Sequence, residues 1–182
     1  TSYATGSAFP PYLFFDGVDD FLTAGDVIDL GTNNQTSFSG VNISSAIGAV
    51  YAKSVAAAGA GRYSLVRDLG LLTSLFANAS INNASVTDSS IAARVLSVLL
   101  TRSAGSNTLR SNGVQVAQAT FTPESANYNT SYRFLIGAYG NATDTGQISY
   151  LNGNLYSLIV ANSSYSAGQI SSTESWVAAK TP

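Results

Sequence analysis

The chain has 182 residues, carries 8 Lys+Arg against 10 Asp+Glu and contains neither Cys nor His. That length fits one domain with its own core. The missing residue types exclude disulfides, thiolate chemistry, imidazole metal ligands and a Ser-His-Asp triad. A net charge of −2 with only 10% charged residues argues against a nucleic-acid partner, which calls for a clustered basic face.

Polarity comes instead from 27 Ser, 16 Thr and 14 Asn, a neutral coat of hydroxyls and amides. No apolar run is long enough to span a membrane. The opening Thr-Ser-Tyr lacks a basic region and an apolar signal core, so the chain reads as a processed product or a piece of something longer.

Residues 1–11, with Pro10-Pro11, read as an N-terminal arm or linker, and residues 12–182 as the domain. Turn signals recur every 8 to 15 residues, among them Asp16-Gly17, Ser39-Gly40, Gly59-Ala60-Gly61, Asn112-Gly113 and Asn152-Gly153-Asn154. Between them lie short runs rich in β-branched and aromatic residues. Gly48–Lys53 and Arg62–Arg67 read as strands, and Gly70–Phe76 pairs with its predecessor.

Ile91–Leu100 has apolar residues at helical spacing, and Asp88 and Ser89 offer caps for it. A long buried strand fits equally, and the preferred reading is the strand, because Asn107–Ala117 continues it as a hairpin. Val114-Gln-Val116 alternates after Asn112-Gly113, a strong hairpin signal. Tyr132–Ala138 puts Tyr132, Phe134 and Ile136 on one face. Leu155–Val160 is apolar on both faces apart from Ser157, as a central strand would be. Ser166–Lys180 is the one helix, with Ser166 as N-cap and Ile170 and Val177 on one face. The fold class is all-β, a two-sheet sandwich with a short C-terminal helix.

Four segments carry a family resemblance. Phe15-Asp-Gly-Val-Asp-Asp-Phe-Leu22 resembles the opening signature of laminin-G-like, concanavalin A-like jelly-roll domains. Leu109-Arg-Ser-Asn-Gly-Val-Gln-Val116 resembles their Asn-Gly hairpin, and Phe134-Leu-Ile-Gly137 the strand that follows. Leu151–Val160 with Tyr165–Ile170 is similar to the closing strand and short helix. Order and spacing match over residues 12 to 178. Arg110 or Ser111 stands where the family has an aromatic, and a Trp before the preceding strand is missing. The resemblance implies two antiparallel sheets of six or seven strands. It also makes a structural calcium thinkable, while no cofactor is required.

Candidate site residues fall into three groups. Asp16, Asp19 and Asp20 form an oxygen-rich cluster that would suit calcium, with an Asx turn as the alternative. Tyr139, Asn141 and Asp144 lie in one loop, and Asn127 and Tyr128 in another. Aromatic rings pack on sugar faces, and amides and hydroxyls read sugar hydroxyls, so these loops are the carbohydrate-binding candidates. They flank the Phe134 strand at opposite ends, so one pocket would use one set only.

Asp26 and Asp29 read as turn and solvent groups, and Trp176 as a clamp against the sandwich. Glu124 and Glu174 stand fifty residues apart and form no glycosidase pair, so no enzyme is expected. The leading reading is a non-catalytic binding module on a virion or bacterial surface, contacting cell-surface glycan. The rival is a structural or decoration domain packing against neighbouring virion or surface subunits, with a homo-oligomer as one form of it.

Overall fold

The computed structural model describes residues 2–3, 10–54, 61–78, 80–141 and 143–182, with only the backbone described for Ser2 and Tyr3. It is a sandwich of two antiparallel sheets. The strands are β1 (Ser2–Tyr3), β2 (Leu13–Asp16), β3 (Leu22–Thr23), β4 (Gln35–Ile43), β5 (Gly48–Lys53), β6 (Arg62–Asp68), β7 (Leu71–Ala77) and β8 (Ile81–Thr87). They continue as β9 (Arg94–Thr101), β10 (Ser106–Ser111), β11 (Val114–Thr120), β12 (Phe134–Ile136), β13 (Tyr139–Gly140), β14 (Gln147–Ile148) and β15 (Asn152–Ala161), followed by helix α1 (Ala167–Ala178).

One sheet has seven strands in the order β1-β2-β15-β4-β9-β10-β11, and the other has six in the order β3-β12-β5-β6-β7-β8. The core is filled from both sides. Phe15, Val41, Ile43, Leu96 and Leu109 face Tyr51, Tyr63, Leu65, Leu72 and Phe76. Polar links cross it as well. The Ser37 and Tyr51 hydroxyls lie 2.6 Å apart. Asn107 is fully buried; its amide nitrogen donates to the Ser74 and Asn82 carbonyls, while its oxygen accepts from Ser74 Oγ at 2.8 Å. A buried amide costs stability unless it is satisfied, so this pairing favours one register of sheet on sheet.

Most predicted elements form. The contested 91–100 segment is the strand β9, and it pairs in hairpin register with β10. Asn112 and Gly113 take positive φ values of 47° and 79° at the β10–β11 turn, as a tight hairpin demands. The helix begins with a capping box, in which Gln169 N–H donates to Ser166 Oγ and Ser166 N–H to Gln169 Oε1.

Several expectations change. Ser2–Tyr3 pair with Phe14 and Leu13 as an outer strand of the seven-stranded sheet, so this part of the expected arm belongs to the sandwich. Ser39-Gly40 and Asn152-Gly153-Asn154 are no turns; they lie inside β4 and β15. Gly40 is there for close approach. A Cβ on it would stand 2.1 Å from Thr181 Oγ1 and 3.3 Å from Val177 Cγ1, because α1 lies across the outer face of β4 and β9. Of the expected turn Gly59-Ala60-Gly61, only Gly61 lies within the described residues.

Helix α1 docks through a second apolar cluster of Phe38, Val95 and Val177, with Ile170 packed against it. Beside it Glu174 accepts from Ser97 Oγ at 2.9 Å and from Arg110 Nε at 2.8 Å. Arg110 thus tethers the helix. Trp176 does not clamp the sandwich. It is 51% exposed, with Lys180 4.7 Å above its ring.

Candidate functional site

The groove lies on the outer face of the six-stranded sheet, away from the core. Side chains alternate along β6, β7 and β8. Tyr63, Leu65, Leu72 and Phe76 point inward, which leaves Val66, Thr73, Leu75, Asn83 and Ser85 outward. Register aligns them in rows, Ser64 with Leu75 and Asn83, and Val66 with Thr73 and Ser85. The Thr73 and Ser85 hydroxyls lie 2.9 Å apart. Asp68, at the end of β6, is exposed and borders the same groove.

A hairpin forms the wall. Gly137 N–H donates to Val50 C=O at 3.1 Å, β13 then pairs with β14, and Ala49 N–H donates to Ser149 C=O at 2.9 Å. These bonds fasten the hairpin to β5. Tyr139 is half-buried, and its hydroxyl meets Ser54 Oγ at 2.5 Å. Tyr139, Ile148 and Ser149 complete a groove of about 340 Å³. That is toward the small end of ligand sites, which run about 300–1,000 Å³. Apolar floor, aromatic wall and neutral hydrogen-bonding groups meet there.

The predicted loop residues divide. Tyr139 lines the groove. Asn141 Oδ1 accepts from the N–H groups of Thr143 and Thr145 at 3.2 and 3.1 Å. Asp144, at φ 54°, accepts from Arg133 N–H at 3.1 Å and faces its guanidinium. Both side chains therefore shape the loop.

Asn127 is exposed and Tyr128 half-buried, elsewhere on the molecule. Tyr128 packs on Phe76 under the Arg102 guanidinium, which lies 4.6 Å from its ring centroid, and its backbone bridges to Gly31. Its phenol is pushed up, first by burial and then by the Glu124 carboxylate. No hydrogen bond or ring contact among the described residues joins this pair to Tyr139.

The aspartate cluster forms an Asx turn. Asp16 Oδ1 accepts from Val18 N–H at 2.8 Å, Asp20 Oδ2 from Asp16 N–H at 3.3 Å, and Asp19 is exposed. Among the described residues no three His, Cys, Asp or Glu side chains converge as a metal site would need, so these three do not fit a calcium cage. Asp26 and Asp29 do more than face solvent. They lie 2.7 and 3.2 Å from Lys53 Nζ, whose side chain is 1% exposed, and so neutralise a buried ammonium.

Sequence reasoning missed Asp68, Thr73, Asn83 and Ser85. The signal was the alternation of polar and core positions in Leu72–Phe76 and Asn82–Val86.

No protein-family model matches this sequence, and neither does any curated protein. Solved structures do match. A laminin α1 fragment of mouse, domains LG4-5, aligns at TM-score 0.60 with 13% identity, over 86% of this chain and 44% of that one. The fold is the concanavalin A-like jelly roll. A NanB sialidase mutant of Streptococcus pneumoniae aligns at TM-score 0.67 and 15% identity, over 88% of this chain; the match spans only 27% of the sialidase. The CBM40 of a Ruminococcus gnavus IT-sialidase, bound to α2,3-sialyllactose, aligns at TM-score 0.62 and 10% identity, over 90% of this chain and 97% of that one. Identities this low establish the jelly-roll architecture alone.

Proposed function

We propose that this jelly roll is a non-catalytic carbohydrate-binding module of a virion or bacterial surface protein, holding cell-surface glycan in the groove beside Tyr139. The observation that carries the reading is the groove's chemistry. The Tyr139 ring borders an apolar floor of Val66 and Leu75, ringed by Thr73, Asn83, Ser85 and Ser149. A sugar ring has apolar C–H faces and a rim of hydroxyls, so this arrangement complements it. The CBM40 bound to sialyllactose supports the same reading by analogy of fold.

The absence of turnover is part of the proposal. Glu124 is held by Arg102 and Glu174 by Arg110, at separate places in the fold, so neither is poised as an acid facing a nucleophile. The virion or surface setting rests on the neutral Ser/Thr/Asn-rich coat and the lack of Cys and His.

A glycan array probed with wild type and Tyr139→Ala tests the reading. Binding by wild type, lost in a variant of unchanged circular dichroism, is the expected result. Silence of the wild-type protein across all glycans would sink it, and release of reducing sugar would overturn its non-catalytic part.

One observation favours the rival reading of subunit packing. Strand β11 ends the seven-stranded sheet, and its seven residues carry neither charge nor Pro. Such an edge accepts a strand from a neighbour. Light scattering that finds an oligomer abolished by Gln115→Pro would support that role.

A further inference from the structure

We infer that the groove selects uncharged saccharides, reading a pair of their hydroxyls with the Asp68 carboxylate, and discriminates against sugars that carry a carboxylate or sulfate. This rests on the carbohydrate reading above and narrows its ligand class.

The argument is where the eight cations go. Lys53 is buried against Asp26 and Asp29. Arg94 pairs with Asp88, Arg102 with Glu124 and Arg110 with Glu174. Arg133 is taken by the Asp144 carboxylate and carbonyl. Arg62 is buried at 5% exposure. Lys180 lies just past the end of α1, over Trp176, and α1 packs on the other sheet.

Arg67 stands next to Asp68 in sequence and is 5% exposed. It is one of the residues that line the groove, yet its Nη atoms donate to the carbonyls of Ile43, Ser90 and Asp88 and its unpaired Nε is buried, so it ties strand ends together and exposes no fork to a ligand. The residues outside the described set carry no Lys or Arg. Among the described residues, then, Arg67 is the one cation lining the groove, and it is buried and engaged with backbone carbonyls.

Asp68 is the opposite case. It is exposed, lines the groove, and has no ion-pair partner among the described residues. An ionised carboxylate accepts hydrogen bonds through two oxygens. Vicinal sugar hydroxyls can donate to both, and such charge-assisted bonds are stronger than neutral ones. A ligand carboxylate brought to the same groove meets a like charge with no exposed bidentate cation to compensate.

The test is a glycan array of matched pairs, each a neutral oligosaccharide beside its sialylated or sulfated form. The expected result is binding to neutral members and about tenfold weaker binding to their anionic partners, a gap that narrows as salt rises. The strongest neutral binder is then titrated by calorimetry, with its anionic partner, against wild type and Asp68→Lys. That variant should weaken the neutral sugar and close or reverse the gap.

Anionic forms bound as well as neutral ones would overturn the selectivity and leave the carbohydrate reading standing. A gap that Asp68→Lys leaves unchanged would overturn the role of Asp68. Binding to no member of the array would bring down the carbohydrate reading and this inference together.

Discussion

Replacing Arg102 with Met should be among the most damaging single changes in this chain. Arg102 is 1% exposed, and all five of its guanidinium N–H donors have an acceptor. Nε donates to Glu124 Oε1 at 2.6 Å. Nη1 donates to the carbonyls of Gly31 and Asn33 at 2.8 and 3.1 Å. Nη2 donates to Glu124 Oε2 at 3.0 Å and to Ala126 C=O. The side chain thus pins the irregular stretch after β11 to the loop before β4.

Breaking a buried pair by removing one partner costs about 3–5 kcal/mol. Glu124 keeps 17% side-chain exposure, so water recovers part of that and the lower end applies, about 3 kcal/mol. For a chain of this size that is roughly 6–12 °C in melting temperature. Arg102→Lys keeps the charge but cannot fill a five-donor fork. Losing two or more bonds at about 1 kcal/mol each, it should fall between wild type and Met. Urea unfolding of the three proteins is the assay. A Met variant within about 0.5 kcal/mol of wild type, the scatter of ordinary surface substitutions, would refute the reasoning.

Three further outcomes are expected. Burial raises the Glu124 carboxyl, but its bonds from Arg102 and from Ala126 N–H outweigh this and hold it below its usual 4.5. A lowered folded value means stabilisation that is complete above pH 4.5 and lost as pH falls through that lower value, so Glu124→Gln should flatten the acid limb of stability against pH. Burial pushes the Tyr51 and Tyr63 phenols far above 10.0. Their contribution is complete below pH 10.0 and declines above it, and ultraviolet titration should find two tyrosines that ionise only on alkaline unfolding. Gly40→Ala should cost about 1–3 kcal/mol by overpacking and loosen the end of α1, read as faster proteolysis near Thr181; an unchanged cleavage rate would contradict the close approach.

Much of the sandwich was legible locally. Gly48–Lys53, Arg62–Arg67 and Leu155–Val160 are β-branched or aromatic runs between turn residues, and each became a strand. Asn112-Gly113 marked its hairpin, and Ser166 with Gln169 marked the helix start. In each case the physical cause lies within a few residues: a backbone preference, a cap, an alternation.

The rest depended on distant partners. Gln35–Ile43 is rich in Ser and Gly and punctuated like a loop, yet it is a central strand because β15 and β9 pair with its edges and α1 covers Phe38 and Gly40. Asp26 and Asp29 gained their role from Lys53, twenty-seven and twenty-four positions away. Asp68, Asn83 and Ser85 drew no reading from the sequence; they became groove residues only because the hairpin of β13 and β14 packs beside their sheet. Strand and helix preferences are short-range and therefore written in the chain, whereas a groove exists only where the fold brings remote segments side by side.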